Sequence, residues 1–331
     1  MEAPQSSPLK SAAGRVSLLL AAGATVSAAV GASAQSLWWG DLLSHFRLQY
    51  IAILFAAGIA LALLGRKTAA GFSLGVAVLL TATLAPYWSP LEPPAQASVA
   101  ERWSLLSWNV NSKSVQWAVA SAVIRQADAD LVLIQELNHE GVPAVAAMAD
   151  LYPHRLLEPH SGNFGMGILS KTPLRSPWTH HVGDYAFPLM EVKVEALGRV
   201  IQVWNLHPVP PAGEHNSQQR DAYLEEVVRR ASKEGALVVA GDFNAAPWSR
   251  GYRSIADGLH LSDSAYGRGL SPTWFGMGAL WQLPIDHALF RGGLRVVERK
   301  VGDRLDSDHS PILVVFTGAT ETKSPSSTAG S

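Results

Sequence analysis

Leu237-Val238-Val239-Ala240-Gly241-Asp242-Phe243-Asn244 is the stretch on which the fold turns: four apolar residues, a glycine, then two polar residues set around a phenylalanine. A short apolar run bounded by turn formers reads as a buried strand. Asp242 and Asn244 are two apart, so on extended backbone both project to one side of the strand end. Taken alone, Asp-Phe-Asn is equally an ordinary turn after a strand.

The same arrangement recurs. Ser107-Trp108-Asn109 follows Leu105-Leu106, and Ile134-Gln135-Glu136 closes Leu131-Val132-Leu133-Ile134. Ile285-Asp286-His287 opens Ala288-Leu289-Phe290, and Ser307-Asp308-His309 precedes Ile312-Leu313-Val314-Val315. Carboxylates, amides and an imidazole at strand ends converge readily on one rim of a sheet, which is how a hard cation and a phosphate are held. Between these motifs, strands are expected over 103–110, 130–136, 166–170, 189–194, 200–206 and 236–240. Helices are expected over 115–126, 142–150, 218–232 and from Pro247 to Asp257, the last with proline near its first turn.

The order and wording of the five motifs resemble the endonuclease/exonuclease/phosphatase superfamily, which includes DNase I-like nucleases, abasic-site endonucleases, inositol polyphosphate phosphatases and bacterial sphingomyelinases. The resemblance runs from about Trp103 to Phe316, and Gly-Asp-Phe-Asn followed by a terminal Ser-Asp-His is specific in combination. It implies an α/β fold, a four-layer α/β/β/α sandwich of the DNase I-like type, which the alternation of strands and helices allows without selecting. It also implies roles. Glu136 is the principal metal ligand with Asn109 beside it and Asp308 near the metal, and the cofactor is Mg2+, with Mn2+ as a substitute. Asp242 activates water and Asn244 contacts phosphate. His309 acts at the phosphoryl group with Asp286 setting its charge, and His207, in Asn205-Leu206-His207-Pro208, touches the scissile phosphate.

Each residue also has a plain reading. Glu136 closes an apolar run where a strand meets solvent, so it is otherwise a surface acid. Asn109, Asp242 and Asn244 are otherwise turn formers, and His207 a strand-end histidine bonded to backbone. Arg220 offers a phosphate-binding guanidinium or is a solvated helix residue. Asn163, before the glycine-rich Phe164-Gly165-Met166-Gly167, is a weaker site candidate. His287 should point away from Asp286 and be structural. The remaining histidines, His45 among them, lack metal-ligand spacing. The tryptophans read as packing residues first, with Trp248 and Trp274 also placed to line a groove.

Composition bounds the rest. The 331 residues contain no cysteine, which excludes a disulfide framework, a thiolate zinc site and a cysteine nucleophile. The chain carries 26 Lys and Arg against 27 Asp and Glu. Five of those cations (Lys10, Arg15, Arg47, Arg66, Lys67) and three of the acids (Glu2, Asp41, Glu92) precede residue 101, so the remainder holds about −3. Without a basic run, it lacks the cationic surface on which tight duplex binding depends.

The first hundred residues differ in kind. Three charge-free stretches, Val16 to Gly40, Leu48 to Gly65 and Ala69 to Leu91, approach or exceed what is needed to cross about 30 Å of hydrocarbon. They predict an N-terminal transmembrane region over 1–88, with helices near 16–36, 48–65 and 69–88. A proline-rich extended linker over 89–100, the domain at 101–317 and a disordered tail at 318–331 follow. The first stretch has a rival reading as a signal peptide, with Ala32-Ser33-Ala34 as a cleavage site, and the three stretches together have another, three buried helices of a soluble core. Arg66 and Lys67, with Lys10 and Arg15, place the short turn in the cytoplasm by the positive-inside bias. The expected location is therefore the cell (inner) membrane, multi-pass, with the domain extracytoplasmic. The expected function is a membrane-anchored, divalent-metal-dependent phosphoesterase cleaving phosphodiesters as nucleases do. The alternatives are a phospholipid, sphingomyelin or small phosphomonoester substrate, and a non-catalytic module binding a phosphorylated ligand. The bilayer is the partner implied; no protein partner is inferable.

Overall fold

The computed structural model describes residues 8–89, 101–276, 278 and 281–318. The proline-rich linker beyond Ser89 and the tail beyond Gly318 lie outside the described residues. The helices α1 (Pro8–Ser33), α2 (Trp38–Ser44), α3 (Arg47–Leu63), α4 (Lys67–Ala82) and the single turn α5 (Ala85–Trp88) come first. Then follow β1 (Arg102–Asn109), α6 (Trp117–Ala127), β2 (Leu131–Gln135), α7 (Gly141–Ala146), β3 (His154–Glu158), β4 (Met166–Ser170), β5 (Arg175–Val182), β6 (Phe187–Ala196) and β7 (Arg199–Leu206). The chain continues through α8 (Glu214–Arg230), β8 (Ala236–Asp242), α9 (Arg250–Gly258), β9 (Ser262–Asp263), β10 (Trp274–Phe275), β11 (Gln282–Leu283), β12 (Asp286–Arg291), β13 (Leu294–Val301) and β14 (Ile312–Gly318).

Two six-stranded mixed sheets result, ordered β13-β14-β1-β2-β4-β3 and β5-β6-β7-β8-β12-β9. Strand side chains alternate between faces, and here that alternation builds three cores. Leu105, Leu131, Leu133 and Ile168 of the first sheet meet Val192, Val203, Val238 and Ala288 of the second in the central core. The opposite face of the first sheet, with Leu106, Val132, Ile134 and Leu169, packs on Ala120 and Ile124 of α6 and on Val145. The outer face of the second, with Trp204, Leu206, Leu237 and Val239, packs on Tyr223, Leu224 and Val227 of α8 and Ile255 of α9. The expected four-layer α/β/β/α sandwich is the fold.

Helix α9 starts at Arg250 rather than Pro247, because Ser249 caps it and accepts a hydrogen bond from the Tyr252 N–H at 3.4 Å. Strands β3, β5 and β13 were not expected. All three are sheet edges whose residues are mostly half-buried or exposed, so they lack the apolar run that marks a central strand.

The N-terminal helices do not stand apart from the domain. Asp41 of α2, 2% exposed, pairs with Arg220 of α8, 1% exposed, at 2.6 Å. Its other oxygen accepts from the Arg250 N–H at 2.6 Å. Gln35 donates to the Trp248 carbonyl at 3.0 Å, and Gln49 to the Gln282 carbonyl at 2.9 Å. Leu84 and Tyr87 share a cluster with Ala246, Trp248 and Ala265. Two expectations are corrected here. Arg220 is not placed as a phosphate ligand: it is buried in the helix interface, with Nε and Nη2 bonded to Asp221 and Asp41 and Nη1 without a partner. Trp248 is packed between helices and domain, under the Arg47 guanidinium at 5.0 Å from the ring centre.

Of the expected spans, Leu9–Ser33 alone is long and apolar enough to cross a bilayer in one helix. Helices α2 and α3 meet at a 61° bend and qualify only as one broken span. Helix α4 has 16 residues, fewer than the roughly 20 that a bilayer core requires.

Losing one partner of a buried pair strands the other's charge, at about 3–5 kcal/mol. Asp221 keeps part of the Arg220 bonding, so Asp41→Ala should destabilise at the low end of that range. Thermal unfolding of the full chain in detergent reads this, and an unchanged Tm would show that the pair holds nothing together.

Candidate active site

Strand direction makes the rim. β1 runs parallel to β2 and β7 parallel to β8, so Asn109 sits beside Gln135 and Leu206 beside Gly241. The polar residues that end or follow these strands, Asn109, Glu136, His207 and Asp242, emerge together. β12 is antiparallel to β8, and its first residue, Asp286, lies opposite Asp242. Asp308 and His309 arrive on the loop ahead of β14.

Local backbone aims these side chains. Gly241 has φ 137°, and a Cβ there would stand 2.1 Å from the Leu206 carbonyl oxygen, so only glycine lets β8 pass β7 so closely. Glu136 and Asn244 hold φ 62° and 47°, the left-handed region. Non-glycine residues keep such angles when surroundings over-determine them, commonly at functional sites.

The Asn109 amino group lies at the centre, donating to Glu136 Oε1 and Asp242 Oδ2, each at 3.2 Å. Its Oδ1 accepts from the Asn111 N–H at 3.0 Å. The second Glu136 oxygen takes both the N–H and the hydroxyl of Ser112 at 2.9 Å. Asp308 is fixed by Asn111 Nδ2 at 2.8 Å and by the Trp274 indole N–H at 2.9 Å. Asn244 donates its backbone N–H to Asp242 Oδ1 at 2.8 Å and its amide to the Pro208 carbonyl at 3.0 Å. His309 Nδ1 bonds Asp286 at 2.9 Å, and its Nε2 lies 3.7 Å from Asp242.

Two buried imidazoles differ in charge. Burial pulls both down. For His309, Asp286 and Asp242 together outweigh burial and raise the pKa to about 10, so it is an imidazolium at neutral pH. For His207, burial wins over the attraction of Glu136 and lowers the pKa to about 4, so it is neutral. Asp242 is pushed up to about 7 by burial, against the pull of His309. It can therefore take a proton near neutral pH, as a general base must.

A cavity of about 410 Å3 opens over this rim and is lined by Glu136, His207, Asp242, Asn244, Asp308 and His309. The structure thus brings together every expected site residue but Arg220; Asn109 lies just beneath. Asn163 and Trp274 also line the cavity. His287 points away, bonding the Ala245 carbonyl at 2.8 Å. Sequence reading passed over the residues that fix these groups, Asn111, Ser112 and Thr273, whose hydroxyl accepts from the Asp286 N–H at 3.0 Å. The proximity of Asn111 and Ser112 to Asn109 was their one signal. It also passed over Leu42, His45 and Phe46, which line the same cavity from α2 and the turn before α3. Ionisable Asp41 and His45, four apart in an apolar region, were the available signal.

Among the described residues, Asp242, Asp286 and His309 form a group whose ligand atoms lie within 4.8 Å of one another. There His309 Nδ1 is bonded to Asp286 and its Nε2 faces Asp242. The carboxylate oxygens of Glu136 and Asp308 are donors of the kind a hard divalent cation takes.

A family model described as Endonuclease/Exonuclease/phosphatase family matches residues 106–309. No curated protein matches the chain. An endonuclease/exonuclease/phosphatase from Beutenbergia cavernae is similar with a TM-score of 0.56 at 20% identity, covering 66% of this chain and 72% of that one. A truncated TDP2 from Caenorhabditis elegans reaches 0.55 at 15%, covering 66% and 98%. The 3' phosphatase NExo from Neisseria, solved with a product DNA hairpin, reaches 0.53 at 22%, covering 64% and 98%. At these identities the likeness to the solved structures is one of fold.

If Asp286 acts through His309, removing either removes one function. His309→Ala and Asp286→Ala should each lower kcat/KM on bis(p-nitrophenyl) phosphate by roughly a hundredfold or more, with His309→Ala the worse. The double variant should match His309→Ala. Multiplicative losses would mean that the two act separately.

Proposed function

Because the chain belongs to the endonuclease/exonuclease/phosphatase family, which acts on phosphoester bonds, we propose that it is a membrane-anchored, divalent-metal-dependent phosphoesterase that directs water in line onto phosphorus. The observation that carries this reading is the His309 imidazolium held between Asp286 and Asp242 at the floor of the cavity. A fixed cation beside a carboxylate of raised pKa is the pairing that phosphoryl transfer to water requires: a donor for the phosphoryl oxygens and an acceptor for the water proton.

Asp242 receives that proton as the bond from water to phosphorus forms and the ester P–O bond opposite it breaks, the leaving alkoxide taking a proton from solvent. Its Oδ1 is tied to the Asn244 N–H and its Oδ2 to Asn109, so the carboxylate is oriented before substrate arrives. His309 hydrogen-bonds the phosphoryl oxygens, and Asp286 keeps it charged and turned. Neutral His207 and Asn244 add hydrogen bonds around the same phosphate. Glu136 and Asp308, with the Asn109 amide, would hold Mg2+ or Mn2+. When bound, such a cation neutralises charge developing on the phosphoryl oxygens. The convergence of Glu136, Asp242, Asn244, Asp308 and His309 on one cavity favours the catalytic reading over a non-catalytic module.

Membrane anchoring is supported by α1 and by the exposed Leu19, Leu20, Val26, Ile59, Phe72 and Leu79 on α1, α3 and α4. The charge placement around Arg66 and Lys67 supports a multi-pass topology with the domain outside the cytoplasm.

Glu136→Gln should lower turnover by at least about a hundredfold, because a hard-cation site loses its anionic donor, with partial recovery at high Mg2+. Chelation should abolish wild-type activity. Wild-type rates for Glu136→Gln in chelator and in Mg2+ alike would remove Glu136 from the site.

A reporter that works only after export, such as alkaline phosphatase, should be active when fused after Ser331. Silence there, with fluorescence from a fused cytoplasmic reporter, would reverse the proposed orientation.

A further inference from the structure

The family match spans residues 106–309, yet one wall of the catalytic cavity comes from outside it. Leu42, His45 and Phe46 face the cavity whose floor holds Asp242, Asn244 and His309. This corner between α2 and α3 is pinned to the domain from several sides. Asp41 grips Arg220 and the Arg250 N–H, and Gln49 reaches the Gln282 carbonyl. The Phe46 ring meets Trp281 edge-on at 5.3 Å, joining the corner to the β10–β11 loop across the cleft.

The wall has a defined chemistry. The His45 ring is 2% exposed, with Nδ1 3.0 Å from the Asp41 carbonyl. The lining beside it is apolar: Leu42, Phe46, Phe164, Trp281, Leu283 and Ile285. No lysine or arginine lines the cavity among the described residues. A nucleic acid brings a run of phosphates that lysine and arginine side chains normally neutralise, and this lining holds neither.

We infer that the α2–α3 corner is a specificity wall of the active site, which selects an ester of a single phosphate carrying an apolar substituent. The phosphate lies over His309 and Asn244, and the apolar part runs along Leu42, Phe46 and Trp281. The helical region is then part of the catalytic unit and not only a tether. The inference rests on the phosphoesterase reading of the site.

The test uses the full chain in nanodiscs with Mg2+ and a matched series of p-nitrophenyl phosphodiesters. Their second substituent is methyl or octyl. A hexadecyl ester in phosphatidylcholine vesicles forms a parallel arm. Wild type should prefer octyl to methyl by at least about tenfold in kcat/KM, since a few buried methylenes suffice for that ratio. Phe46→Ala and Leu42→Ala should collapse the octyl-to-methyl ratio, largely through KM. Ratios within one preparation are insensitive to a fraction of misfolded protein. A preference in the dissolved octyl arm identifies a soluble ligand, and one confined to the vesicle arm identifies a bilayer-borne one; either supports the wall. Wild-type turnover without any chain preference, ratios unchanged in Phe46→Ala and Leu42→Ala, or faster cleavage of a DNA duplex would overturn it. No turnover of any ester in Mg2+ or Mn2+ would instead overturn the phosphoesterase reading beneath it.

Discussion

The antiparallel pairing of β8 with β12 sets Asp242 directly across from Asp286, and the charges in the cleft are arranged around the imidazolium that these two carboxylates share. Two acids side by side in a buried site repel, and burial alone would favour their neutral forms. His309, 4% exposed, resolves that conflict by remaining protonated. The cost of burying it is offset by two partners, one bonded at 2.9 Å and one 3.7 Å away. His207 has the same burial, with Asp242 at 3.6 Å and Glu136 at 4.0 Å but no carboxylate within hydrogen-bond distance, and it loses its proton. One neighbourhood thus holds a charged and an uncharged imidazole, set apart by whether a carboxylate is bonded to the ring.

Rigidity at this rim comes from hydrogen bonds made sideways, between loops. Asn109 ties Glu136 to Asp242, which belong to different sheets, and Ser112 closes the far side of Glu136. The Trp108 indole donates to the His309 carbonyl, and Ser307 bridges the His309 N–H to the Asn109 carbonyl. Such groups are oriented before a substrate enters, which is the condition for electrostatic stabilisation of a transition state.

The N-terminal helices bring a second constraint. Their outer faces are apolar and exposed, whereas the inner corner carries Asp41 and His45, two groups that a bilayer interior would disfavour. Docking on the domain resolves this, because Arg220 satisfies Asp41 where lipid could not. The same docking carries Leu42, His45 and Phe46 to the edge of the catalytic cavity.

The central strands and the chemistry of the site were legible in the sequence because both leave local marks. Buried strands such as Leu131–Ile134 and Leu237–Ala240 are apolar throughout, and the polar residues at their ends stand out against them. Edge strands β3, β5 and β13 left no such mark, since one side of each meets solvent or loops. Arg220 illustrates the limit. Its residue type and helix position fit a phosphate ligand, and only tertiary packing shows the guanidinium turned toward Asp41, 179 residues away in the chain. The sequence by itself determined which polar residues end the buried strands, since periodicity and side-chain type are local properties. Only the tertiary structure decided the charge of each histidine, the partner of Arg220 and the wall of the cleft, because these depend on burial and on contacts between segments far apart in the chain.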